Sequence, residues 1–121
     1  MTQISGTWEC QISLRFDYDS NNKPTETRRI IFGPLLTAKS DVELMLRRAQ
    51  AAILNPDVKP ENFLSKDERD LAYYRTEEAF ERGTLKFSRN VVCIDVRDPN
   101  MPDISFIDLP GISSIILYAI S

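Results

Sequence analysis

Hydrophobic and polar residues alternate without a break from residue 7 to residue 18. Trp8, Cys10, Ile12, Leu14, Phe16 and Tyr18 share one parity, and Glu9, Gln11, Ser13, Arg15 and Asp17 the other. A period of two predicts a long strand with one buried and one wet face, as in an antiparallel sheet. Residues 19–24, Asp-Ser-Asn-Asn-Lys-Pro, are dense in turn formers and predict a chain reversal. A return strand follows over 25–32, expected to be most buried at Ile30, Ile31 and Phe32 and stopped by Gly33-Pro34.

The period then changes. Val42, Met45, Leu46, Ala49 and Ile53 recur at helical spacing, which predicts an amphipathic helix over 40–54 ended by Asn55-Pro56. Ser40 with Glu43 fits a capping box, with Thr37 as a competing cap. Arg47, Arg48 and Gln50 are expected to point away from the core, the two arginines on a solvated helix face. Residues 57–89 lack a sustained period and read as an irregular insertion; the mixed charges of Lys66 to Asp70 predict a solvated surface, and Tyr73-Tyr74 ordinary packing. From residue 90 the pattern sharpens. Val91 to Arg97 is a β-branched strand, 98–103 a turn rich in Pro and Asp, and Ile104 to Asp108 the next strand. Six residues are too few for a parallel crossover, so these two strands form an antiparallel hairpin. The fold class read from the pattern is α/β, with antiparallel strand pairs and one main amphipathic helix.

Composition changes this picture little. A chain of 121 residues with 42% hydrophobic and 27% charged residues is an ordinary globular domain. A net charge of −3 offers no basic face for nucleic acid. The absence of histidine removes the commonest general base and metal ligand. Cys10 and Cys93 lie on separate strands without metal-ligand spacing and read as buried thiols. Residues 1–8 show no signal-peptide pattern, and the longest apolar run, 115–120, is short for a membrane span, so a cytoplasmic setting is expected.

The stretch with the clearest chemistry is Asp108-Leu109-Pro110-Gly111. It places a carboxylate at the end of an apolar strand, followed by a proline that cannot continue the ladder and a glycine free to turn. In P-loop nucleotidases such an aspartate organises Mg²⁺ through water, and the loop N–H touches the terminal phosphate. The cradle that should accompany it, G-x-x-x-x-G-K-[ST], is absent. The four glycines are Gly6, Gly33, Gly83 and Gly111; none precedes a lysine, and no two are five apart. Asn22-Lys23-Pro24-Thr25 begins like a guanine-reading [NT]-K-x-D motif but lacks its aspartate. A separate metal chemistry would use Asp95, Asp98, Asp103 and Asp108, all on or beside one hairpin, although Asp98 and Asp103 also suit turn formation. Cys93 has no histidine to activate it as a nucleophile.

Several segments in order resemble the GTPase domain of fungal dynamin-like proteins. They are residues 8–16 (Trp-Glu-Cys-Gln-Ile-Ser-Leu-Arg-Phe), the Phe32-Gly33-Pro34 turn, and residues 46–56 (Leu-Arg-Arg-Ala-Gln-Ala-Ala-Ile-Leu-Asn-Pro). Residues 87–92 (Phe-Ser-Arg-Asn-Val-Val) and 104–111 complete the match, which spans roughly 8–112. The resemblance implies a partial P-loop GTPase fold in which residues 108–111 are switch II. Asp108 would then hold Mg²⁺ through water, and Gly111 would offer its N–H to the γ-phosphate. It also implies GTP and Mg²⁺ as ligands of the intact domain, self-assembly with other dynamin-like chains, and contact with a membrane surface through other parts of the parent.

The same resemblance places the P-loop and the switch I threonine before Met1, and the guanine-specificity motif, stalk and effector helices after Ser121. The chain therefore reads as a fragment, inactive by itself, with no cofactor of its own. Residues 112–121 depart from the family pattern and suggest an intron read-through or a frameshift. Without the P-loop strand, a sheet edge and an apolar face should be left uncovered, making the chain poorly soluble. The alternative is a non-enzymatic module that pairs a strand edge with an intact relative.

Overall fold

The computed structural model describes residues 7–111 and the backbone of 115–119. Five strands, β1 (Glu9–Tyr18), β2 (Pro24–Ile31), β3 (Val91–Arg97), β4 (Ile104–Asp108) and β5 (Ile115–Ala119), form one antiparallel sheet in the order β2-β1-β3-β4-β5. The long helix α1 (Val42–Leu54) covers one face. Two short helices, α2 (Glu68–Ala72) and α3 (Glu77–Glu81), and 3-10 turns at Pro60–Phe63 and Tyr73–Arg75 make up the insertion. The coarse α/β architecture and both antiparallel hairpins match the hydrophobic pattern.

Alternation explains the core. Cys10, Ile12 and Leu14 of β1 and Val92 and Ile94 of β3 face α1, which answers with Met45, Ala49, Ala52 and Ile53. Phe32, Leu36, Phe63 and Leu71 close the cluster. Burying each large side chain contributes about 1.5–3 kcal/mol, so this cluster is the main source of stability. The opposite parity is less wet than its composition suggests: Ser13 is fully buried and Cys93 nearly so. Arg29 explains the first, since its Nε donates to Ser13 Oγ at 2.9 Å while its Nη2 reaches Asp95 at 2.7 Å.

Four expectations change. Ile31 is 62% exposed, because it pairs with Ser13 on the face away from α1; Phe32 beside it is buried. Ser40 caps nothing. A 3-10 turn, Lys39–Asp41, leads into α1, and backbone carbonyls of that turn take the first N–H groups. The capping box lies instead in the charged run, where Asp67 and Asp70 each accept the other's backbone N–H at the start of α2. Neither Arg48 nor Gln50 points to solvent. Arg48 Nε donates to the Lys66 carbonyl at 2.7 Å, which ties α1 to the insertion, and Gln50 is described below. Arg47 does lie at the surface, paired with Glu43 and Glu68.

The fourth change concerns the edge beside β4. Instead of ending the sheet, β4 pairs along its whole length with β5, from Ile104 opposite Ala119 to Asp108 opposite Ile115. The described sheet thus ends not at β4 but at β5, its outer strand on this side. How the apolar tail packs, and whatever residues 112–114 and 120–121 do, lies outside the described residues. On the other side β2 is an edge strand, blunted by Pro24 and by a register shift between Phe16 and Tyr18.

One side chain holds the β1 end in place. Asn90 Oδ1 accepts the N–H groups of Asp17 and Tyr18 at 2.8 and 3.0 Å, and its Nδ2 donates to the Tyr18 carbonyl at 3.1 Å. These bonds span the register shift, where the regular β1–β2 ladder fails. Asn90→Ala should cost about 1–3 kcal/mol through the unpaired backbone groups left behind. Urea unfolding would show a lower midpoint with an unchanged slope. Asn100→Ala, at an exposed turn, should leave the midpoint within error.

Candidate functional site

Asp108 ends β4 and lies opposite Val92, so its carboxylate falls on the α1 side of the sheet. It is 4% exposed. Gln50, in the C-terminal half of α1, donates from Nε2 to Asp108 Oδ2 at 2.6 Å. Among the described residues, Oδ1 accepts no hydrogen bond. Burial pushes the Asp108 carboxyl above the ordinary aspartate range, and the Gln50 bond pulls in the opposite direction.

The turn after Asp108 is packed tightly. Pro110 is fully buried, and its carbonyl accepts the Ser88 N–H at 3.2 Å. Gly111 has a φ of +86°, and a Cβ there would lie 2.0 Å from the Lys86 carbonyl oxygen and 2.5 Å from Phe87 Cα. Only glycine fits, for backbone conformation and for space alike. Segment 86–90 is held in turn by Ser88 Oγ, which accepts the Asn90 N–H at 3.0 Å. Its approach to α1 is fixed one step earlier. Thr84 Oγ1 donates to Asn55 Oδ1 at 2.6 Å, and Leu85 N–H to the Leu54 carbonyl at 2.8 Å.

Two stretches far away in sequence therefore flank Asp108–Gly111: Gln50 of α1 bonds Asp108, and Lys86–Ser88 packs on Pro110 and Gly111. The other aspartates do not join them. Asp95 faces the opposite side of the sheet, bonded to Arg29 and to the Ser105 hydroxyl. Asp98 shapes its own turn by accepting the Asn100 N–H at 2.9 Å, and Asp103 lies exposed at the start of β4. The four-carboxylate reading fails for that reason, and among the described residues no group of three potential ligands is close enough to share a metal. An open groove of about 400 Å³ between β1, β3 and β4 is lined by Glu9, Gln11, Asp95, Arg97 and Ser105, away from Asp108. Cys10 and Cys93 are free and buried; burial, then the Asp95 charge, pushes the Cys10 thiol up to about 11, which makes it a poor nucleophile.

The residues missed from the sequence are Gln50, Ser88, Asn90, Asn55 and Thr84. Gln50 left one usable signal. It directly follows Ala49 of the buried stripe and so lies at the border of the covered face.

The raised Asp108 value has a definite sign. A carboxyl whose folded pKa exceeds its unfolded value contributes stability below about pH 4 that is lost as pH rises through the folded value. Asp108→Asn keeps an acceptor for Gln50 without the buried charge. It should melt at a higher temperature than the parent near pH 7, and the gain should vanish below about pH 4. Gly111→Ala should destabilise by roughly 2 kcal/mol or more, from the left-handed backbone and the Lys86 overlap together. Chemical denaturation measures it; an unchanged midpoint would mean that the turn does not seat on Lys86.

Among the described residues no helix is long and apolar enough to cross a membrane. No family model, curated protein or solved structure matches the chain.

Proposed function

We propose that the chain is a segment of a dynamin-type GTPase domain, the segment that carries switch II. One observation supports this above others. Of the stretches that resemble that family, residues 46–56 and 87–92 both reach residues 104–111, Gln50 by a bond to Asp108 and Ser88 by a bond to Pro110. Nothing in their sequence spacing requires that, and a shared site is the simplest physical reason for it.

The donor chemistry fits Mg²⁺ held through water. Mg²⁺ keeps several waters and takes one or two carboxylates plus substrate phosphates, so a single aspartate is an adequate contribution. Asp108 Oδ1, buried and without a donor among the described residues, would accept from such a water. The Gly111 N–H likewise has no acceptor there and would meet a γ-phosphate oxygen. The bound metal would neutralise charge developing on the phosphates as water attacks the γ-phosphorus. The protein's own part is to hold the Asp108 carboxylate and the Gly111 N–H in fixed relation, which the Pro110–Ser88 bond and the Lys86 contact accomplish. Membrane remodelling and self-assembly belong to the same reading and depend on parts of the parent domain.

This chain has no phosphate cradle of its own, so it should not bind GTP alone. A fluorescent GTP analogue titrated against it with Mg²⁺ should give no saturation below about 1 mM. Saturation at micromolar concentration would overturn that. The family reading itself is tested by transplanting residues 8–111 into an intact dynamin-type domain in place of their counterpart. The chimera should retain Mg²⁺-dependent GTP hydrolysis and lose at least tenfold with Asp108→Ala, as removal of a group that stabilises phosphoryl transfer does. A folded chimera indifferent to Asp108→Ala would exclude the assignment. The alternative, a module that pairs its strand edge with a relative, would use one of the two outer strands, β2, which is blunted, or β5.

A further inference from the structure

We propose that residues 84–90 form a strap that couples the Asp108–Gly111 turn to the end of the β1–β2 hairpin, so that a shift of the turn is felt at Asp17 and Tyr18. The inference goes beyond the switch II reading and holds whatever the turn binds. Contacts at three places carry it. At the turn, the Ser88 N–H donates to the Pro110 carbonyl at 3.2 Å, and Gly111 lies directly against the backbone of Lys86 and Phe87. Further along, Asn90 donates its own N–H to Ser88 Oγ at 3.0 Å and uses its side chain to bond Asp17 and Tyr18. Arg89 adds to that end, its guanidinium 5.1 Å from the centre of the Tyr18 ring. The other end of the strap is fixed to α1, through Thr84 to Asn55 and Leu85 to the Leu54 carbonyl.

The geometry leaves such a shift little room to dissipate. The span from Lys86 to Asn90 is short, pinned at both ends, and closed on itself by the bond between Ser88 and Asn90. A turn pushed off Lys86 moves Ser88, and Ser88 moves the Asn90 N–H that it accepts. What Asn90 holds is the place where the regular β1–β2 ladder fails, between Phe16 and Tyr18. The Asp17 and Tyr18 N–H groups both take Asn90 Oδ1 as acceptor, so its release exposes them to water. Where the turn responds to a ligand, the hairpin end responds with it, because coupling between two places acts in both directions.

The test is amide hydrogen exchange on the full 121-residue chain, as wild type, Gly111→Ala, Asn90→Ala and Ile53→Val. Gly111→Ala places a Cβ on Lys86 and pushes the strap. It should speed exchange of the Asp17 and Tyr18 amides about tenfold beyond any change at Phe32 and Leu36. Those two amides bond to Ile12 and Cys10, elsewhere on β1, and report a general loss of stability. Asn90→Ala leaves the strap backbone intact and should speed the Ser88 amide by a similar excess, since coupling is reciprocal. Ile53→Val loosens the core under α1 without touching the strap, and should show no excess at any of the three amides. An excess in Gly111→Ala that stops at Ser88, or none at all, overturns the proposal; the β1–β3 ladder, which begins at Val91, would then hold Asn90 still. So does an equal excess in Ile53→Val. Where Gly111→Ala fails to fold, Asn90→Ala decides alone: an excess at Ser88 supports the strap, and its absence overturns it. None of these readings involves GTP, so failure of the transplanted domain to hydrolyse it counts against the family reading only.

Discussion

The structure depends on how closely α1 lies on β1 and β3. Its contact stripe alternates large and small residues, and Ala49 and Ala52 are almost completely buried. Small side chains at those positions let the helix settle against Ile12, Leu14 and Val92, where larger ones would hold it away. A helix seated at that depth can place a glutamine amide on a carboxylate at the end of β4. It can also receive the returning insertion at Asn55, through Thr84 and Leu85. The polar contacts around Asp108 are thus a consequence of apolar packing several residues away.

Asp108 is the costliest feature of this arrangement. A carboxylate almost removed from water, answered among the described residues by one neutral donor, is destabilised in its charged form. The hydrophobic cluster of β1, β3 and α1 supplies the stability that offsets this cost. Burial of an incompletely satisfied acid beside a glycine that no other residue can replace is the kind of local conflict that marks a functional position. Asp95 offers the contrast. Arg29 and Ser105 satisfy its carboxylate on the open side of the sheet, and it has the character of a structural ion pair.

Much of the fold was legible in the sequence because the signals there are local. Alternation in 7–18, turn formers in 19–24, helical spacing in 42–53 and the β-branched run after Asn90 each depend on residues within a few positions of one another. Where local signals competed, the reading slipped. Ser40 had the composition of a cap, but a preceding 3-10 turn satisfied the N–H groups first. Ile31 belonged to an apolar triplet, but strand parity placed it on the uncovered face. Asn90 carried no sign of its role, since its partners are backbone groups at Asp17 and Tyr18, more than seventy residues earlier.

The sequence by itself determined the first four strands, the main helix, the antiparallel hairpins, the missing phosphate cradle and the prominence of Asp108-Leu109-Pro110-Gly111, because period, turn chemistry and short motifs are properties of neighbouring residues. Tertiary structure alone decided that Gln50 takes one oxygen of Asp108, that Lys86–Ser88 closes on Pro110 and Gly111, that β5 pairs with β4, and that Asp95 belongs to the other face. Those are contacts between segments tens of residues apart, set by strand order and by the depth at which α1 packs, and no local pattern encodes either.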